Sequence, residues 1–134
     1  VFISSIAGIH GLPTLGPYSS SKMALRAIAE SIRIEEASHN IHVGLIQVGK
    51  TKIEHNKHAI DQNGNPIILN DRNNEKVDSM EKVAKAVLNN IKKRKFISTL
   101  STLGKINYFL NCRAPLIVEK IILGSLNKFK EGAK

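Results

Sequence analysis

Tryptophan is absent, aromatic residues make up 4% of the 134 residues, and there is a single cysteine, Cys112. One cysteine excludes an internal disulfide framework and any cysteine-based zinc module, and it makes a reducing, cytosol-facing compartment the default. With few aromatics, no stacking platform and no reading helix, nucleic acid is not an expected partner. No uninterrupted apolar run approaches the roughly 18 residues that a spanning helix needs. The first residues also lack the basic and long apolar regions of a signal peptide. Collagen, coiled coil and secreted mini-protein are excluded as well. The 42% hydrophobic content is that of a folded chain, sized for one small domain or part of a larger one. An initiator Met is also lacking. Val1 to Ser4 reads as the end of a buried strand with no turn or cap before it, so the chain is expected to be the C-terminal portion of a longer protein.

Charge is unevenly placed. Twenty Lys and Arg stand against eleven Asp and Glu, a formal net charge of +9. Val1 to Asp78 holds eight basic and eight acidic residues, whereas Ser79 to Lys134 holds twelve basic and three acidic (Glu81, Glu119, Glu131). The whole excess therefore lies in the last 56 residues. It reads either as a tail that meets an anionic partner or as a solvated basic helix face.

Hydrophobic periodicity gives the order of elements. Val1–Ser5 is a short apolar strand, followed by a loop punctuated by Gly8, Gly11, Pro13, Gly16 and Pro17. Tyr18–Ser38 has helical period, with Met23, Ala24, Leu25, Ile28, Ala29 and Ile32 on its apolar stripe and Pro17 suited to its first turn. Ile41–Val48 is rich in β-branched residues and reads as a buried strand. Gly49–Asp78 is a polar loop with a turn at Asn63-Gly64-Asn65-Pro66, and a loop that long is usually functional or mobile. Ser79 caps a second amphipathic helix with apolar positions at Met80, Val83, Ala84, Val87, Leu88 and Ile91. Lys82 at the third helical position leaves it without a capping box, and the run Lys92-Lys93-Arg94-Lys95 closes it. Phe96–Leu100 is a third strand, and Leu103–Leu110 and Ala114–Phe129 are two more helical pieces. Strand, helix, strand, helix, strand is a parallel α/β pattern.

Tyr18 and Lys22 stand at i and i+4 on the first helix, so their side chains leave the same face. An ammonium beside a phenol favours the phenolate, bringing a group of ordinary pKa about 10 toward use as an acid/base. Ser5 lies at the carboxyl end of its strand, where parallel sheets place their ligands, and a hydroxyl there can hydrogen-bond a substrate carbonyl. The Tyr-x-x-x-Lys pair alone says little, because roughly one tyrosine in ten has such a lysine by chance. The strand ending at Ser5, the glycine-rich loop after it and the thirteen-residue spacing to Tyr18 supply the rest of the signal.

The stretches Ile3-Ser4-Ser5-Ile6-Ala7-Gly8, Gly11-Leu12-Pro13 and Tyr18-Ser19-Ser20-Ser21-Lys22-Met23-Ala24-Leu25 resemble the short-chain dehydrogenase/reductase family, over roughly residues 1–100. The resemblance implies the second half of a Rossmann-type doubly wound parallel sheet. Residues 1–102 would form the catalytic half, with a substrate loop at about 50–78, and residues 103–134 a basic amphipathic helical tail. It implies a catalytic set of Ser5 polarising the substrate carbonyl, Tyr18 as general acid or base, and Lys22 bonding the nicotinamide ribose. Val48, Gly49 and Thr51, with Tyr18 and Lys22, would contact the cofactor. Val48 replaces the family's usual proline, and Ile53 a threonine. The cofactor would be NAD or NADP, the resemblance leaning to NADP. The glycine-rich phosphate loop and the residue that discriminates the two would lie upstream of Val1. The implied activity is carbonyl–alcohol interconversion by hydride transfer on a small-molecule substrate, in a cytoplasmic homo-oligomer.

Other features weigh less. The pairs His39/His42 and His55/His58 have no third ligand near, and no metal site is expected. Glu54 reads as a surface residue that could touch substrate, and Cys112 as a buried or half-buried thiol. The tail interleaves Leu103, Ile106, Tyr108, Phe109, Leu110, Leu116, Ile117, Val118, Ile121, Ile122 and Leu123 with Lys105, Arg113, Lys120, Lys128 and Lys130. That pattern fits peripheral contact with an anionic membrane, or packing on the enzyme or an oligomer interface. The alternative to an enzyme is a non-catalytic fragment that binds a membrane surface or partner through this tail.

Overall fold

The computed structural model of the protein describes residues 1–52, 58–60, 64–68 and 77–126. Strands β1 (Phe2–Ser5), β2 (Leu45–Val48) and β5 (Ile97–Thr99) form a parallel sheet in the order β1-β2-β5. Ser5 stands opposite Val48, and Gln47 opposite Thr99, so all three strands end at one carboxyl edge. Helix α1 (Gly16–Glu35) connects β1 to β2, and α2 (Met80–Lys92) precedes β5. Helices α3 (Thr102–Arg113) and α4 (Pro115–Gly124) follow. The parallel α/β reading from periodicity is the fold observed.

The core lies under α1. Ala29, Val43 and Leu45 are buried together, with Phe2, Leu25, Ile32, Phe96 and Ile97 packed around them. Leu25, Ala29 and Ile32 are spaced i, i+4, i+7 and form the inner stripe of α1. Met23 and Ile28, which the periodicity assigns to that stripe, are exposed. Every residue of β2 is buried, as expected of the middle strand of a parallel sheet. Its one polar side chain, Gln47, accepts a hydrogen bond from Thr99 Oγ1 at 2.8 Å. The innermost residue of α2 is Asn90, not one of its apolar residues. Its Nδ2 donates to Ser98 Oγ at 2.8 Å, and its Oδ1 lies 3.2 Å from His42 Nε2. Gly44 lets this asparagine in, since a Cβ there would stand 2.1 Å from Asn90 Oδ1.

Several boundaries differ from the sequence reading. Helix α1 begins at Gly16, with Pro17 in its first turn, and gives way after Glu35 to a 3-10 turn over Ala37–His39. The strand expected over Ile41–Val48 starts at Leu45, where pairing with both Phe2 and Ile97 begins. The third strand is Ile97–Thr99, and the third helix runs from Thr102 to Arg113, with Ser101 Oγ capping it by accepting from Gly104 N at 3.0 Å. The region 49–78, read as a loop, contains an antiparallel hairpin of β3 (His58–Ile60) and β4 (Pro66–Ile68), with Gly64 in a left-handed conformation between them. Two three-residue strands fall below what alternation can reveal. Ile53, Glu54 and His55, and the tail beyond residue 126, lie outside the described residues. Cys112 is exposed, contrary to expectation.

Candidate active site

Strand β1 ends in two serines whose side chains leave opposite faces of the sheet, as strand alternation requires. Ser5 is half-buried and caps the 3-10 turn Ile6–Gly8, its Oγ accepting from Ala7 N at 3.1 Å. A hydroxyl can donate once and accept twice, so this bond leaves the Ser5 proton available for a ligand oxygen. Ser4 is buried and donates to the Lys22 carbonyl at 2.9 Å. Gly8 closes the same contact, since a Cβ there would stand 2.9 Å from the Lys22 backbone. The end of β1 is thus stitched to the first turns of α1.

Those turns carry the other candidate residues. Tyr18 is 46% exposed, and Lys22 Nζ lies 5.7 Å from the centroid of its ring. Ser21 Oγ donates to the Tyr18 carbonyl at 2.7 Å. Between them Ser19 is buried, and its hydroxyl has no hydrogen-bond partner among the described residues. The chain's other tyrosine, Tyr108, is in a different situation. Burial pushes its phenol pKa up, and Arg26, whose guanidinium lies 5.7 Å from the ring centroid, opposes that. Tyr108 is therefore suited to packing rather than proton transfer.

At the edge of β2, register places Val48 beside Ser5, with Gly49 next along the chain. Thr51 Oγ1 donates to the Gly49 carbonyl at 3.4 Å, which folds the segment back on itself. Asp78 then holds it: Asp78 N donates to Lys50 O at 2.9 Å, Lys52 N donates to Asp78 O at 3.0 Å, and the carboxylate pairs with Lys82 of α2. The structure thus brings the Ser5 segment together with the Tyr18–Lys22 turn, and puts Val48 and Gly49 on the same sheet edge as Ser5. Ser4, Gly8 and Asp78 position this edge and were not singled out from sequence. The Ser-Ser doublet at a strand end was the one available signal, because alternation sends one of the two inward. His39 pairs with Glu36 at 2.9 Å and His42 contacts Asn90. No cluster of three potential metal ligands occurs among the described residues.

Residues 1–64 match the short chain dehydrogenase family. The chain is 32% identical over 115 residues to a dehydrogenase/reductase SDR family protein 7-like of Drosophila melanogaster, covering 85% of this chain and 35% of that protein. It is 48% identical over 52 residues to an NADPH-dependent 3-dehydrocapnine reductase of Ornithobacterium rhinotracheale, covering 39% of this chain and 18% of that protein. The fold superposes on a short-chain dehydrogenase from Sphingobium yanoikuyae solved in complex with NADPH, with a TM-score of 0.56 and 15% identity over 87% of this chain and 43% of that one. The chain thus spans about a third of the length of the first of these relatives. The match over residues 1–64, these relatives and the shared fold support a place for this chain in the short-chain dehydrogenase/reductase family.

Proposed function

We propose that the protein interconverts a carbonyl and an alcohol on a small-molecule substrate, with Ser5, Tyr18 and Lys22 as the residues that frame the reaction. The observation that carries this reading is the stitch from Ser4 Oγ to the Lys22 carbonyl, backed by Gly8. It fixes a strand-end hydroxyl against a helix turn that bears a half-exposed phenol and an ammonium. In the reducing direction Ser5 Oγ donates a hydrogen bond to the carbonyl oxygen, and Tyr18 Oη gives that oxygen its proton. Lys22 stabilises the negative charge left on the phenol oxygen. In the oxidising direction the proton returns to Tyr18.

The donor set suits a nicotinamide nucleotide: an ammonium and a phenol for a ribose diol, and the backbone around Val48, Gly49 and Thr51 for a carboxamide. Bound there, the nucleotide would supply or accept the hydride. NADP is favoured over NAD because one relative is named as NADPH-dependent and one structural neighbour was solved with NADPH. The segment 50–78 would close over substrate. A homo-oligomer is part of the proposal, with exposed Met23, Ile28 and Ile34 on α1 as its contact. The single thiol supports a cytoplasmic location. A purely non-catalytic binding fragment is not favoured by this family membership.

The test is Tyr18→Phe in the protein, assayed against a panel of ketones and alcohols with NADPH and NADP. Loss of a positioned general acid lowers turnover by about 10²–10⁴-fold, with circular dichroism unchanged. Turnover within a few-fold of the parent protein would overturn the assignment.

A further inference from the structure

Helix α3 turns polar residues inward as well as apolar ones. Beside half-buried Tyr108 and Leu110, Gly104, Asn107 and Asn111 face the protein: Asn111 Nδ2 donates to Ile9 O at 3.1 Å, and Asn107 Nδ2 lies 3.0 Å from His10 Nε2. The His10 ring has its Nδ1 3.1 Å from the Gly11 carbonyl, so Nδ1 carries the hydrogen and Nε2 accepts from Asn107. Leu103, Ile106 and Phe109 recur every three residues on the opposite side, and all three are exposed, Leu103 at 74%. Helix α4 packs on α3 with Val118 buried, while Leu116, Ile117 and Ile121 are exposed. A helix pair that presents leucine, isoleucine and phenylalanine outward is not arranged for water.

The charges around this face select its partner. Among residues 102–126 the basic groups are Lys105, Arg113 and Lys120 and the single acid is Glu119. Arg113 lies over the Phe109 ring, 5.4 Å from its centroid, and Lys120 sits among the apolar residues of α4. Long basic side chains beside exposed apolar ones can lift their charges to a headgroup layer while their stems stay apolar. A second copy docked face to face would bring these cations against their own kind, which disfavours it. The apolar residues of α1 have no such basic surplus, since the first 78 residues carry balanced charge. Neither helix is long and apolar enough to cross a membrane.

We propose that the α3–α4 pair lies on an anionic phospholipid surface, with Leu103, Ile106, Phe109, Leu116, Ile117 and Ile121 at the headgroup–acyl boundary and Lys105, Arg113 and Lys120 against the headgroups. This contact is independent of the oxidoreductase reading and would hold for an inactive chain.

The experiment is flotation of the full chain with phosphatidylcholine vesicles, with and without phosphatidylserine as one lipid in three. The chain rises with the anionic vesicles, stays down with the neutral ones, and is released by salt. Phe109→Asp weakens binding by roughly tenfold or more, and Lys105→Glu with Arg113→Glu by roughly twenty-five-fold or more, each basic residue being worth roughly fivefold. Phe109 is exposed, so the fold should be retained, as circular dichroism will show; Ile117→Ser on α4 repeats the test if it is not. Failure to float with anionic vesicles, or undiminished binding by both apolar variants, overturns the proposal. So does size-exclusion behaviour in which Phe109→Asp converts a dimer to a monomer, which would assign the face to a second copy.

Discussion

Ser4 and Ser5 are adjacent and chemically identical, yet the pleat gives them different work. Ser5 points to the carboxyl-edge turn, and Ser4 points inward to the Lys22 carbonyl. Ser4→Ala removes one buried neutral hydrogen bond and is expected to cost about 1 kcal/mol in denaturant unfolding. Gly8→Ala forces a methyl group to within 2.9 Å of the Lys22 backbone, which cannot move aside as a side chain end can, and should cost about 1–3 kcal/mol. Ser19 runs the other way. Its buried hydroxyl has no partner among the described residues, so Ser19→Ala should be neutral or stabilising, by up to about 1 kcal/mol. A clear loss of stability in that variant would mean that the hydroxyl has a partner. At this scale Ser5, Tyr18 and Lys22 were picked out by residue type and spacing, and the structure brings their two segments together. Ser4 and Gly8 were not, because their roles exist only where β1 meets α1, and a serine or glycine gives no sign of which neighbour it will meet.

Elements were legible where they bury a stripe and less so where they depend on pairing. Helices α1 and α2 form where their period places them, but Met23 and Ile28 of α1 and Met80, Leu88 and Ile91 of α2 are exposed, and the innermost residue of α2 is Asn90, which a hydrophobic pattern cannot select. Strand β2 was read four residues too long and the β3–β4 hairpin as loop, since pairing partners set strand limits. The start of α2 shows a subtler case. Lys82 excludes a capping box, but Glu81 takes part in the cap from the position before it. Hydrogen bonds from its own backbone N–H and from Ser79 hold its carboxyl below the ordinary value of 4.5, with Lys52 adding a smaller electrostatic pull. A carboxyl whose folded pKa lies below its unfolded one stabilises the protein above the unfolded value and loses that contribution as pH falls through the folded value. Glu81→Gln should therefore lower stability slightly at neutral pH and flatten the decline below about pH 4.5, seen in thermal melts across an acid series. An unchanged acid profile would show that the cap contributes nothing to folding.

At the scale of the whole molecule, many apolar residues among those described are exposed: Ile3 within β1 is 45% exposed, Met23, Ile28 and Ile34 of α1 face outward, and α3 and α4 expose Leu103, Ile106, Phe109, Leu116, Ile117 and Ile121. Eight apolar residues are buried among those described, and two of them are alanines. A core of that size offsets little of the conformational entropy of ordering the chain, which is of the order of 1–2 kcal/mol per residue for the backbone alone. Anything that covers the exposed apolar faces therefore adds stability. The 134-residue chain alone in dilute, lipid-free buffer should bind a hydrophobic dye such as ANS and unfold over a broad temperature range. Whatever binds its native state raises the midpoint by mass action, by about 2.7 kcal/mol at a hundredfold excess over Kd. Differential scanning calorimetry with and without anionic vesicles reads this directly. A sharp, lipid-independent transition with no dye binding would mean that the chain closes its own surface, contrary to the exposed apolar faces.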